Sequence, residues 1–148
     1  MEKIGNETIY NRAFKNIEEV VHWHVLSVEQ KQEFELEFIS TNSEYKQGVR
    51  LVIDVGEGYL EINGIKSKEM YLWEDTAPKK VQVKCQSSEE KVSVYNIFNL
   101  GTDRGGRRSL VDSCGMLIEK EQNVILYKCN DAGFQTNFDK LIFKIELL

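Results

Sequence analysis

Proline is nearly absent from this chain, which has one, Pro78, among its 148 residues. Histidine is scarce as well, with two residues, and the three cysteines (Cys85, Cys114 and Cys129) form no C-x-x-C pair. An odd number of widely spaced cysteines argues against both a disulfide framework and a zinc site. We therefore expect a cytoplasmic protein with reduced thiols, in which Cys85 and Cys129 act as small buried hydrophobic residues.

Long apolar runs are also missing. No stretch approaches the roughly 18 to 20 apolar residues that a membrane helix needs, and the first seven residues lack the apolar core of a signal peptide. The formal net charge of −5 makes the surface repel nucleic acids and anionic lipids. The composition thus predicts that neither a nucleic acid nor a membrane is a partner.

Apolar and polar residues alternate at period two in several segments. The clearest is Glu33-Phe34-Glu35-Leu36-Glu37-Phe38, and residues 80–85 and 141–147 repeat the pattern. Successive side chains of a strand point to opposite faces, so each segment predicts a strand with one buried and one exposed face. Many such strands with little helical periodicity indicate antiparallel sheets packed face to face, or a closed barrel.

The whole chain, residues 1–148, is predicted to be a single all-β domain, an antiparallel β-sandwich of jelly-roll type. Gly56-Glu57-Gly58 and Asn63-Gly64 are hairpin signals, because glycine and asparagine tolerate positive φ. Apolar residues near helical spacing predict one short N-terminal helix over residues 11–20. Strands are expected near residues 22–28, 32–39, 49–55, 58–63, 68–73, 79–85, 91–98, 114–119, 123–129 and 140–147.

A basic, glycine-rich loop stands out in this acidic chain. Residues 101–109 contain Arg104, Arg107 and Arg108 between glycines. The guanidinium group offers a planar fork of donors for a carboxylate or phosphate, and glycines let backbone N–H groups face an anion. The loop lacks the Gly-Lys-Ser/Thr ending of a phosphate-binding P-loop. It is the first candidate for contact with a protein partner or a small anionic ligand; the alternative is a solvated surface loop.

An aromatic and acidic segment is the second candidate. Trp73 ends a predicted strand and is followed by Glu74 and Asp75. An aromatic ring at the rim of a sheet can stack on a sugar, and the carboxylates can accept hydrogen bonds from its hydroxyl groups. The alternative is that Trp73, in phase with Tyr71, belongs to the core.

The two histidines could take part in metal binding. His22 and His24 lie on one face of a predicted strand, and Glu29 follows in the H-x-H-x4-E spacing that resembles one segment of the cupins. Two histidines and a carboxylate can hold iron or zinc. The second cupin segment needs a further histidine, which this chain lacks, so we favour two ordinary histidines on a strand and expect no cofactor.

The polar segment from Asn130 to Asp139 is rich in oxygen-bearing side chains. Calcium takes six to eight oxygen ligands, but the spacing is not that of an EF-hand. Asn and Asp are also ordinary turn formers, so a structural turn is favoured over a cation site.

The second half of the chain resembles a family of small uncharacterised bacterial proteins, a domain of unknown function to which no activity is assigned. The last strand, Asn137-Phe138-Asp139-x-Leu141-x-Phe143, also looks like the final strand of jelly-roll carbohydrate-binding modules. The resemblance to the uncharacterised family covers residues 73–148 and lies in 73–79, Val94-Tyr95-Asn96-Ile97, 113–119, 127–133 and 137–143.

The sequence predicts a non-enzymatic binding module that contacts a partner protein or an anionic ligand through its long loops. One alternative is a carbohydrate-binding or polyol-binding jelly roll that uses Trp73 with Glu74 and Asp75. The other is a metal-dependent, cupin-like enzyme. No G-x-S-x-G motif is present, and Cys114 has no identifiable base, so catalysis has little support.

Overall fold

The computed structural model describes residues 5–101 and 113–148, together with the backbone of Arg107–Arg108. Its described residues form strands and turns with no helix, which confirms the all-β prediction. The strands are β1 (Ile9–Tyr10), β2 (Val21–Ser27), β3 (Gln32–Thr41), β4 (Lys46–Val52), β5 (Gly58–Ile62), β6 (Ile65–Ser67), β7 (Glu69–Trp73), β8 (Lys80–Ser87), β9 (Lys91–Asn99), β10 (Arg107–Arg108), β11 (Gly115–Glu121), β12 (Val124–Asn130) and β13 (Leu141–Leu147).

These strands make one antiparallel sheet that is nearly closed into a barrel. Their order is β6-β5-β8-β3-β13-β12-β11-β2-β9-β4-β7, with β1 beside β2 and β10 beside β9. The two ends of this order approach each other, since β5 also contacts β7. A sandwich of jelly-roll type is therefore not confirmed, and the barrel-like alternative describes the sheet better.

The alternating segments place their apolar side chains as predicted. Phe34, Leu36 and Phe38 on β3 are buried, whereas the intervening glutamates are exposed or partly exposed. The same holds on β8 and β13, and all three cysteines are buried free thiols. Burying one such large apolar side chain contributes about 1.5–3 kcal/mol, so these faces dominate the stability of the fold.

Strand β9 is buried on both faces, unlike the outer strands. Residues Val92 to Phe98 are all buried, and β9 lies between β2 and β4 in the sheet. On one face, the Tyr95 ring lies 4.5 Å from the ring of Trp23. Tyr95 is also paired with Arg50 on the neighbouring strand β4. The large side chains of Trp23, Tyr95 and Arg50 therefore lie next to one another across adjacent strands.

The predicted helix over residues 11–20 is wrong. This segment forms consecutive turns, and Asn16 has a φ of 67°, which an α-helix does not allow. Asn11 accepts a hydrogen bond from the N–H of Ala13 (2.9 Å) and donates one to the Cys114 carbonyl (2.7 Å). Phe14 packs on Phe138, so the apolar residues of the segment serve a small second core.

The Asn63-Gly64 hairpin signal is confirmed. Both residues have positive φ, 52° and 80°, and they join the antiparallel strands β5 and β6. This is the geometry that the tight two-residue hairpin turn requires. The chain then crosses from β6 directly into β7, which pairs at the opposite end of the sheet. The hairpin therefore lies beside the gap between the two ends of the sheet.

Candidate functional site

A cleft of about 350 Å3 lies where the two ends of the sheet fail to pair. Strand β5 pairs with β8 only over Lys84 to Ser87, whereas residues 80–82 of β8 pair with β3 alone. Strand β7 pairs with β4 on its other side. The opening between them, which we call the seam cleft, is lined chiefly by Ile62, Asn63, Tyr71, Trp73, Pro78 and Gln82.

Trp73 is held in the seam cleft by the strand and turn around it. It lies opposite Gly48 of β4, and a Cβ atom at Gly48 would come within 2.9 Å of the indole Cε3. Only glycine therefore lets the indole ring lie this close to β4. The carbonyl of Trp73 accepts hydrogen bonds from the N–H groups of Thr76 (3.2 Å) and Ala77 (2.8 Å), which closes the turn before Pro78.

Tyr71 is held by an arginine on the neighbouring strand. The guanidinium carbon of Arg50 lies 5.5 Å from the centre of the Tyr71 ring and 5.5 Å from that of Tyr95. Arg50 Nη2 donates to the Glu69 carboxylate at 2.5 Å, and Nη1 donates to the Tyr95 hydroxyl. Burial lowers the pKa of Arg50, but the Glu69 and Tyr95 hydrogen bonds outweigh it and raise the pKa. Arg50 therefore stays charged, and it orients the Tyr71 ring.

Glu74 and Asp75 do not line the seam cleft with Trp73. The N–H of Glu74 donates to the Gln47 carbonyl, and the Asp75 carboxylate pairs with Lys46 at 3.2 Å. Both partners of that ion pair are exposed, so it contributes little to stability. The polar residues that line the cleft are instead Asn63, Thr76, Lys80 and Gln82, none of which was a site candidate from the sequence. The hairpin signal at Asn63 was the one hint of them.

The arginine loop falls mostly outside the described residues. Arg104 is outside them, and for Arg107 and Arg108 the structure describes the backbone, which pairs with Asn99 and Phe98 of β9. A contact between this loop and an anionic partner therefore stays a prediction.

The proposed metal ligands are not brought together. His24 is partly buried, and its Nδ1 and the Tyr127 hydroxyl oxygen share a hydrogen bond of 2.9 Å. Burial, and secondly the charge of Lys120, lower the pKa of His24 to about 4. Glu29 is exposed in the turn after β2. Within residues 5–101 and 113–148, no three His, Cys, Asp or Glu side chains are placed to hold one metal ion.

A second opening of about 410 Å3 lies near the end of β12 and is polar. Asn42, Glu44, Tyr45, Asp131, Gln135 and Lys140 contribute to its lining. The sequence favoured a structural turn over residues 130–139. The side chains that donate to the Asp131 carboxylate come from a segment more than 80 residues earlier.

No protein-family profile matches the chain, and no curated protein sequence is significantly similar to it. The resemblance to an uncharacterised bacterial family, and the likeness of the last strand to carbohydrate-binding modules, stay predictions. In the part of the chain that the structure describes, no helix is long and apolar enough to span a membrane.

Proposed function

We propose that this protein is a non-enzymatic binding module that holds a sugar ring or a similar polyol in the seam cleft. The observation that carries the proposal is the combination of Tyr71 and Trp73 with the side-chain amides of Asn63 and Gln82 around one opening. Its volume of about 350 Å3 falls in the range of about 300–1,000 Å3 that is usual for small-molecule sites.

The lining matches the two kinds of surface that a sugar ring presents. The C–H groups on one face of the ring are apolar and pack well on an indole or phenol ring. The hydroxyl groups at its edge both donate and accept, and the amide of Asn63 can do the same. Gln82 Nε2 donates to Glu35 Oε2 at 2.5 Å, so the amide oxygen of Gln82 is the group that would accept from a hydroxyl. Trp73 is already oriented by Gly48 and its turn, so little side-chain entropy is lost on binding.

The two tryptophans allow a direct test by NMR. Trp73 lines the cleft, whereas Trp23 is buried against Tyr95 and serves as an internal control. We expect at least one member of a panel of hexoses, N-acetylhexosamines and disaccharides to shift the indole N–H signal of Trp73 but not that of Trp23. Trp73→Phe assigns the two signals. The panel is titrated to about 10 mM, where a ligand with a Kd of 1 mM is about nine-tenths bound.

Gln82→Ala removes one polar side chain from the seam cleft. Because Gln82 is exposed, this substitution leaves the core unchanged. We expect this variant to bind several-fold more weakly while keeping the wild-type spectrum elsewhere. A saturable shift that is equal for both tryptophans, or no shift with any sugar, would contradict the proposal.

The arginine loop is a second proposed contact, for a protein or an anionic ligand. What supports it is that Arg107–Arg108 returns to the sheet beside Asn99, while Lys46 lies opposite Asn99 on the other side. Charge reversal at Arg104, Arg107 and Arg108 should abolish capture of that partner; unchanged capture would refute this contact. We also propose a cytoplasmic location, supported by the three buried free thiols.

A further inference from the structure

A charged side chain belongs to the lining of the seam cleft. Among the described residues that line it, Lys80 alone is charged. Lys80 is the first residue of β8, and the alternation of exposed and buried residues along this strand puts its side chain on the exposed face, together with that of Gln82. The described lining therefore carries one positive charge and no negative charge.

The ammonium group of Lys80 has no counter-ion in the described part of the chain. Glu37 is the residue paired with Lys80 on β3. Its carboxylate forms an ion pair with Lys144 on β13 instead, with 3.5 Å between Nζ and Oε1. Asp75, the nearest acidic residue before the cleft-closing turn ends, pairs with Lys46. The ion pairs between described residues do not include Lys80, so an anion on a ligand would be its first charged partner.

The groups beside Lys80 suit the hydroxyl groups of a sugar. Residues two positions apart on a strand are separated by about 7 Å, so a single sugar unit held near Gln82 also reaches Lys80. Gln82 offers its amide oxygen, because its Nε2 donates to Glu35, which does not line the cleft. Thr76 adds a hydroxyl group to the lining. These neighbours are neutral, so a charge on the ligand would be recognised by Lys80.

We propose that the ligand of the seam cleft is a sugar that carries one carboxylate, a hexuronic acid, and that this carboxylate binds the ammonium group of Lys80. The inference rests on the proposed function and specifies the class of sugar. A hydrogen bond from an ammonium group to a carboxylate is charge-assisted and stronger than one between neutral groups. A hexuronic acid therefore binds more tightly than the neutral hexose of the same configuration.

A phosphate is the other anionic group that sugars commonly carry. At pH 7 a phosphate monoester has a charge of about −1.5 to −2, whereas Lys80 supplies one positive charge. The uncompensated part of the phosphate charge would be repelled by a protein whose formal net charge is −5. A carboxylate has a single negative charge and matches Lys80, so it is favoured over a phosphate.

The test compares each hexose with its own uronic acid, in the pairs glucose with glucuronate and galactose with galacturonate. The wild-type protein is titrated with each sugar, and the indole N–H signal of Trp73 reports binding. We expect a uronic acid to bind about two- to fivefold more tightly than its hexose, the size of one exposed ion pair. Raising the salt from about 0.02 M to about 0.5 M should reduce this preference, because salt screens exposed charges.

Two substitutions at Lys80 change the charge of the cleft, and the residue is exposed, so neither disturbs the core. Lys80→Gln should bind the uronic acid and the hexose with equal affinity, and Lys80→Glu should prefer the hexose. Lys84→Gln is the matched control, because Lys84 lies on the same face of β8 but does not line the seam cleft. This control should keep the wild-type preference for the uronic acid.

The outcomes separate this inference from the proposed function. If neither uronic acid binds more tightly than its hexose while some sugar shifts the Trp73 signal, the inference alone is overturned. If no neutral sugar and no uronic acid shifts that signal, both are overturned. A preference for the uronic acid that Lys80→Gln retains in full would refute the role of Lys80. Tighter binding of glucose 6-phosphate than of glucuronate would refute the choice of a carboxylate.

Discussion

His24 should make the stability of this protein fall between pH 7 and pH 5. Burial is the main reason that its pKa is lowered from 6.5 to about 4 in the folded state, and Lys120 adds to it. The folded protein therefore keeps the imidazole neutral, while the unfolded chain binds a proton below about pH 6.5. Because the unfolded state binds more protons in this window, acid favours unfolding.

The size of the effect follows from the two pKa values. A difference of one pKa unit corresponds to 1.36 kcal/mol, so the complete loss between pH 6.5 and pH 4 is about 3 kcal/mol. By pH 5 the loss is already about 2 kcal/mol. Most exposed carboxyl groups are still ionised there, so they contribute little to the change over this interval.

Urea unfolding at pH 7.0, 6.0 and 5.0 measures the effect. His24→Gln removes the titrating group and leaves a side chain that can still bond to the Tyr127 hydroxyl, so its free energy of unfolding should vary far less with pH. The chain has two histidines, and His22→Gln is the matched control that leaves His24 in place. If His24→Gln kept the full pH dependence of the wild type, the assignment to His24 would be wrong.

Two further predictions concern packing. Gly48→Ala places a Cβ atom 2.7 Å from the Leu72 carbonyl oxygen and 2.9 Å from the Trp73 ring. This variant should therefore have a free energy of unfolding, measured with urea, that is lower than the wild-type value by about 1–3 kcal/mol. A variant as stable as the wild type would contradict the close contact at this position. Burial raises the pKa of Cys85 to about 12 and raises that of Cys129, so native thiols should react with Ellman's reagent far more slowly than those of the urea-unfolded chain. Equal rates would contradict their burial.

The local features of the fold were predictable from the sequence. The side-chain alternation over residues 33–38 identified both strand β3 and its buried face, because that period is a property of the extended backbone itself. Asn63-Gly64 identified its hairpin for a similar reason, since few residues tolerate positive φ. The N-terminal helix was wrong because its apolar residues are spaced to reach Phe138, a contact distant in sequence.

Trp73, a candidate ligand contact from the sequence, lines the seam cleft, and its contact with a ligand stays a prediction. An aromatic residue beside a turn is visible in the sequence, but its neighbours across the seam are not. Asn63 lies in the turn between β5 and β6 and Gln82 lies on β8. Glu74 and Asp75, which adjoin Trp73 in the chain, do not line the cleft. Adjacency in sequence is a poor guide here because successive residues of a strand or turn point in different directions.

Local sequence was enough to identify most strands, their buried faces and the Asn63-Gly64 turn, since these depend on residues within a few positions of one another. The order of the strands, the near closure of the sheet and both openings depend on contacts between residues far apart in the chain. Asp131 meets Ser43 and Gln47 across separations of 88 and 84 residues. The physical reason is that any strand can hydrogen-bond to any other through its backbone, so partners are chosen by the packing of the whole set of side chains.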